Sequence, residues 1–171
     1  MDNASFVQAL VLCVFPFPLA FAAVSDLVTM KISNRISILL AGAFVGMAIL
    51  LAIPLSTFGM HFLAAAIVLA AGFVMFAFGW IGGGDAKLAA VIALWLGFEH
   101  TMEFALISAV LGGLLTLAII TARDSNISLM AHKIDWLERF LSGRAGIPYG
   151  IALSAAALLI YPTTFWMQPL L

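Results

Sequence analysis

Two aspartates stand out as groups that could do chemistry. Asp26 lies in Ser25-Asp26-Leu27 at the end of an apolar run, and Asp85 closes a run of three glycines in Gly82-Gly83-Gly84-Asp85-Ala86-Lys87. An ionisable group in a membrane helix costs about 2.5 to 3.5 kcal/mol at the bilayer centre and less near an end, so it usually has a function or a partner. These two can be each other's partner. Two carboxyls sharing a proton can hydrolyse a peptide bond near neutral pH, one as base on a water and the other as acid on the carbonyl oxygen. Such a pair titrates as a unit. The three glycines permit backbone conformations closed to residues with a Cβ and let an extended peptide approach closely.

The elements that must position this pair are apolar. Of 171 residues 65% are hydrophobic and 9% charged, where soluble domains carry about a quarter charged residues. Lipid is therefore the first partner, and one compact transmembrane domain, residues 1–171, is expected. The net charge of −1 supplies no basic stripe for nucleic acid. Cys13 is the one cysteine, so no disulfide or zinc knuckle is expected. Met1-Asp2-Asn3 is acidic where a cleavable signal is basic, which predicts retention of the first segment.

Apolar runs extend from about Phe6 to Val24, Ile36 to Ile53, Phe58 to Trp80, Leu88 to Phe98, Phe104 to Thr121 and Ile147 to Met167. They predict an all-α polytopic membrane protein with six transmembrane helices. The short fourth run spans if its helix is drawn from Asp85 to Glu103. All seven Lys and Arg then fall on one side, which the positive-inside tendency makes cytoplasmic. Both aspartates lie at that edge. Between helices five and six, Met130, Ile134, Leu137 and Leu141 recur at helical spacing and predict an amphipathic interfacial helix, with Trp136 at headgroup level.

The sequence resembles the prepilin peptidases, also called type IV leader peptidases, within the intramembrane G-x-G-D aspartyl proteases. Residues Gly82 to Lys87 match the pattern G-x-G-D-x-K. Asp26 is followed eight positions later by Asn34, as in the family's other motif, with Ser33 in place of its usual proline. Ile147-Pro148-Tyr149-Gly150 is similar to the element that opens the family's last helix. The resemblance spans nearly the whole chain. It implies a catalytic pair Asp26 and Asp85, a site shaped by Gly82, Gly83, Gly84, Lys87, Asn34, Pro148 and Gly150, and no cofactor. It implies cleavage of the leader of a type IV prepilin or pseudopilin after a glycine, at the cytoplasmic face of a bacterial inner membrane. Larger members carry a cysteine-rich domain and methylate the new terminus with S-adenosylmethionine. This sequence lacks that domain, so methylation does not carry over, and it looks like the stand-alone peptidases of tight-adherence (Flp) pilus systems.

Plainer roles stand beside these. Asp85 and Asn34 are each good N-caps for the helix that follows. Asp26 can pair with Lys31 or Arg35, Lys87 can snorkel, Pro148 and Gly150 can simply start helix six, and Pro16 and Pro18 can kink helix one. His61, His100 and His132 show no metal spacing and are expected to be ordinary interfacial histidines. Two other function classes remain open. A small proton-coupled transporter would place its charges nearer the midplane, and a noncatalytic pilus-assembly subunit would keep the fold without the chemistry.

Overall fold

The computed structural model describes residues 3–123 and 146–170. The amphipathic helix expected between helices five and six, and His132 with it, lies outside the described residues. Among the described residues all regular structure is helical: α1 (Asn3–Val14), α2 (Pro16–Thr29), α3 (Asn34–Leu50), α4 (Leu55–Ala77), α5 (Gly83–Arg123), α6 (Tyr149–Ile160) and two 3₁₀ turns, Tyr161–Thr163 and Phe165–Leu170. Three stretches are long and apolar enough to cross a membrane: Ala9–Thr29, Leu55–Ala77 and Gly83–Arg123. Asn34–Leu50 and Tyr149–Thr163 are shorter apolar helices.

The breaks follow from local chemistry. Pro16 at the start of α2 separates it from α1 at Phe15, which is the expected kink in the first span. α2 stops where Met30 turns left-handed (φ 55°) and donates to Asp26 O at 2.9 Å. α4 closes with a Schellman arrangement around Gly79, in which Gly79 N donates to Phe76 O and Trp80 N to Met75 O, both at 2.9 Å. The last run is α-helical only to Ile160, because Pro162 cannot continue the ladder.

The largest departure from the sequence reading is in α5. Its 41 residues, at about 1.5 Å each, would make a rod of about 60 Å, roughly twice the hydrocarbon thickness. It is interrupted at Gly97 (φ 74°, ψ 176°), a conformation essentially confined to glycine. The helix expected from Asp85 to Glu103 is thus broken at Gly97, and the expected fourth and fifth helices are instead two limbs, 83–96 and 98–123. A break leaves carbonyls in the preceding turn short of partners. Two of these are met by side chains, Leu94 O by His61 Nδ1 and Trp95 O by Trp166 Nε1, each at 2.7 Å. His61 is therefore a buried structural histidine, not an interfacial one, and its ring packs against Gly97 where no Cβ intervenes. His100 sits beyond the break, 3.4 Å from Glu103.

The first limb of α5 is the centre of the molecule. Leu88 and every residue from Ala90 to Gly97 are buried, an apolar helix with no lipid face over that stretch. Trp95 anchors it by donating Nε1–H to Leu40 O at 2.9 Å and packing on Phe15, Phe44 and Trp166. Tyr161 ties the C-terminal turn to α1 through Val11 O at 2.9 Å. Around this post, α4 comes close where Gly72 faces Ala86, one residue beyond Asp85.

Candidate active site

The C-terminal end of α2 and the N-terminal ends of α3, α5 and α6 meet at one end of the bundle. Asp26 sits one turn before the end of α2 and is only 4% exposed, although it carries a carboxylate. Its Oδ2 accepts a 2.8 Å hydrogen bond from the backbone N–H of Gly150, 124 residues away. That N–H is in the first turn of α6, where backbone donors lack helical partners and the helix dipole favours negative charge. Pro148 precedes it as a fully buried residue at the helix start. Gly150 thus touches the carboxylate directly and does more than start its helix.

Asp85 lies in the first turn of α5, partly buried. It is not the N-cap that its type suggested. Its Oδ2 reaches back to the N–H of Gly82 at 3.2 Å, the return half of a capping box. Asp26 and Asp85 are brought to one site by geometry: the side chain of Ile32 lies against Gly84, next to Asp85, and against Gly150, whose N–H meets Asp26. Among the described residues neither Lys31 nor Arg35 forms an ion pair with Asp26, so the tether to those cations is not what holds it.

The glycines serve close approach. Gly83 and Gly84 are ordinary helical residues without positive φ, so the expected use of unusual backbone conformations is not made here. A Cβ on Gly84 would lie 3.2 Å from Ile32 Cβ, and one on Gly82 would lie 2.8 Å from Asp85 Oδ2. A Cβ on Gly150 would lie 2.7 Å from Asp26 Oδ2 and 2.8 Å from Ile32 Cδ1. Ile32, in the turn between α2 and α3, therefore lies between the two glycine-bearing helix ends. Its place was not evident from the sequence, where its only mark was its position two residues before Asn34.

Asn34 and Lys87 meet as well. Ser33 takes the N-cap position of α3 and its hydroxyl accepts from Arg35 N at 3.3 Å, which corrects the assignment of that role to Asn34. Asn34 instead offers Oδ1 to Lys87 Nζ at 3.0 Å, joining the α2–α3 turn to α5 across 53 residues of sequence. Ser25 donates its hydroxyl to Lys31 O at 3.1 Å and Thr29 donates its own to Ser25 O at 2.7 Å, which braces the same turn. The residues that the resemblance assigned to the site lie at this one end of the bundle, with Gly83 set slightly apart against the Phe76 ring.

A helical chain with three apolar stretches of spanning length, and two carboxylates gathered where four helix ends converge, is a membrane protein with a polar site built into its helix termini. The chain belongs to the type IV leader peptidase family, whose model matches residues 13–117. The match contains Asp26, Asn34 and Gly82 to Lys87, and ends before Pro148. No curated protein and no solved structure matches the chain. Membership makes it a leader-peptidase-like protease with a protein substrate.

Proposed function

We propose that this protein is an aspartic endopeptidase that removes the N-terminal leader from type IV prepilins of the Flp kind, and that Asp26 and Asp85 are its catalytic pair. The observation that carries the proposal is the pairing itself. Two carboxylates 59 positions apart in sequence come to one end of the bundle, where Ile32 lies against both Gly84 and Gly150, and each is oriented through Oδ2 by the backbone N–H of a glycine. Among the described residues Oδ1 of each has no hydrogen-bond partner, which leaves one oxygen of each for the reaction. The pair shares one proton. The ionised carboxylate takes a proton from a water as it attacks the scissile carbonyl, and the protonated one donates to the carbonyl oxygen. Collapse of the tetrahedral intermediate expels the new amine, which gains a proton, and the pair returns to its starting state.

The cut falls after a glycine at the cytoplasmic face of a bacterial inner membrane, and the chain passes the membrane six times. The break at Gly97 supports six helical segments, since it divides one long apolar stretch into two limbs, the first of them, 83–96, shorter than the roughly 20 residues of a full span. The ends that carry Asp26, Asp85 and Gly150 share one side, and Lys31, Arg35 and Lys87 lie at that same end, as a cytoplasmic face requires. The substrate's apolar segment lies in the bilayer and its charged leader projects beyond it.

The test is cleavage of a co-expressed prepilin, read by mobility shift and by the mass of the new N-terminus. Wild type processes it, and Asp26→Asn and Asp85→Asn, at equal expression, do not. Undiminished processing by both variants would refute the aspartyl mechanism. Failure of wild type on several Flp-type prepilins would favour a noncatalytic assembly subunit.

A further inference from the structure

Ile32 belongs to no chemical class that could act on a peptide, yet its side chain touches both halves of the site. Its Cβ faces Gly84, one residue before Asp85, and its Cδ1 faces Gly150, whose N–H holds Asp26. A methyl on Gly84 would stand 3.2 Å from its Cβ, tighter than ordinary contact, and one on Gly150 would stand 2.8 Å from its Cδ1, where something must shift. The turn bearing Ile32 is fixed from both sides. Upstream, Met30 is locked in the left-handed region, with its N–H on Asp26 O, and Lys31 O receives the Ser25 hydroxyl. Downstream, Ser33 caps α3 and Asn34 is held by Lys87. The backbone of Ile32 is therefore held on both sides, which keeps its Cβ against Gly84 and its branched side chain in the space between the two helix ends.

We propose that Ile32 is a positioning residue, a spacer between the starts of α5 and α6 that sets the separation of Asp26 and Asp85. This rests on the reading of those aspartates as the catalytic pair. The spacer acts on both partners, through the Gly84 backbone on one side and through Gly150 and Asp26 on the other. Removing it frees the two helix ends to close on the vacated volume. A displacement of about 1 Å at reacting groups can cost about 10²-fold in rate.

The decisive experiment measures separation without relying on catalysis. In a Cys13→Ser background, which removes the native thiol, Asp26→Cys and Asp85→Cys are combined with either Ile32 or Ile32→Ala. Disulfide formation under mild oxidant in membranes is followed by mass spectrometry of the linked peptides. Faster linking in the Ile32→Ala protein is expected, and equal or slower linking overturns the proposal. If Ile32→Ala does not fold, Ile32→Val serves the same comparison, since it gives up only the Cδ1 that faces Gly150. In the enzyme with its aspartates intact, Ile32→Ala lowers kcat by about 10²-fold with KM unchanged, and Ile32→Val recovers part of the loss. A loss that only follows the amount of folded protein would also overturn the proposal. Linking does not depend on the aspartates being catalytic, so processing by the Asp→Asn variants would defeat the functional reading while leaving the spacer intact.

Discussion

Replacing Gly150 with alanine adds one methyl at the point where α6 meets the buried aspartate. The new Cβ would stand 2.7 Å from Asp26 Oδ2, whereas ordinary contact begins at 3.4 Å, so relief requires a displacement of about 0.7 Å. Asp26 cannot simply rotate out of the way, because Asp26 Cβ lies 3.1 Å from the same position and Ile32 Cδ1 closes the other side at 2.8 Å. Either α6 lifts or the carboxylate leaves the Gly150 N–H. Hydrogen bonds to charged groups are worth about 1.5 to 3 kcal/mol, and a reacting group moved by about 1 Å can lose about 10²-fold in rate. Gly150→Ala is therefore expected to cut prepilin processing by about 10- to 100-fold while the protein still inserts and folds. Gly113→Ala is the matched control: it lies in the second limb of α5, with nothing within 4 Å of the new methyl, and helix propensity favours alanine there. Initial rates of precursor conversion in purified membranes, normalised to folded enzyme, compare the two. Wild-type rates for Gly150→Ala would show that the α6 terminus does not hold Asp26 in a geometry that processing needs, and the proposed account of the site would fail with it.

Gly97→Ala forces a Cβ into a positive-φ position 2.8 Å from the His61 ring. Overpacking alone costs about 1–3 kcal/mol, so a lower unfolding temperature in detergent is expected, and an unchanged one would mean that the break is not required. Trp166→Phe removes the Nε1–H that meets Trp95 O at 2.7 Å and leaves a buried acceptor unpaired. A loss of about 1–3 kcal/mol should appear in denaturant titration, with kcat per folded molecule retained. Lys87→Met and Asn34→Ala each break the 3.0 Å link between the α2–α3 turn and α5. Both should lower processing by less than Gly150→Ala does, and the double variant should lose no more than the worse single one if the two side chains act only through each other. Additive losses in that cycle would show that each has a separate role.

The sequence was most informative where chemistry is rare. In a chain with 9% charged residues, Asp26, Asp85, Lys87 and Asn34 were conspicuous, and they do converge. The apolar runs likewise foretold helices, and Pro16 foretold the break before α2. Hydropathy could not foretell the break at Gly97, because glycine inside Leu96-Gly97-Phe98 is apolar on both sides and the need for φ 74° arises only from packing. It could not separate a lipid-facing helix from a buried one either, since both are apolar all round. The burial of the first limb of α5 is set by its neighbours. Local propensity also misplaced two caps by one to three residues: Ser33 outcompeted Asn34, and Asp85 caps from inside its helix. Ile32 was illegible for a different reason. Its role is steric, defined by glycines 52 and 118 positions further along the chain.

The two aspartates are mounted differently. Asp85 begins a limb that is enclosed by protein, while Asp26 rides on α2, whose Phe17, Phe21, Val24 and Val28 form an exposed apolar stripe. A helix with such a stripe adjusts its tilt to the hydrocarbon thickness around it, whereas an enclosed helix does not. If the two aspartates form the catalytic pair, a change in bilayer thickness bears on the mounting of Asp26 more than on that of Asp85.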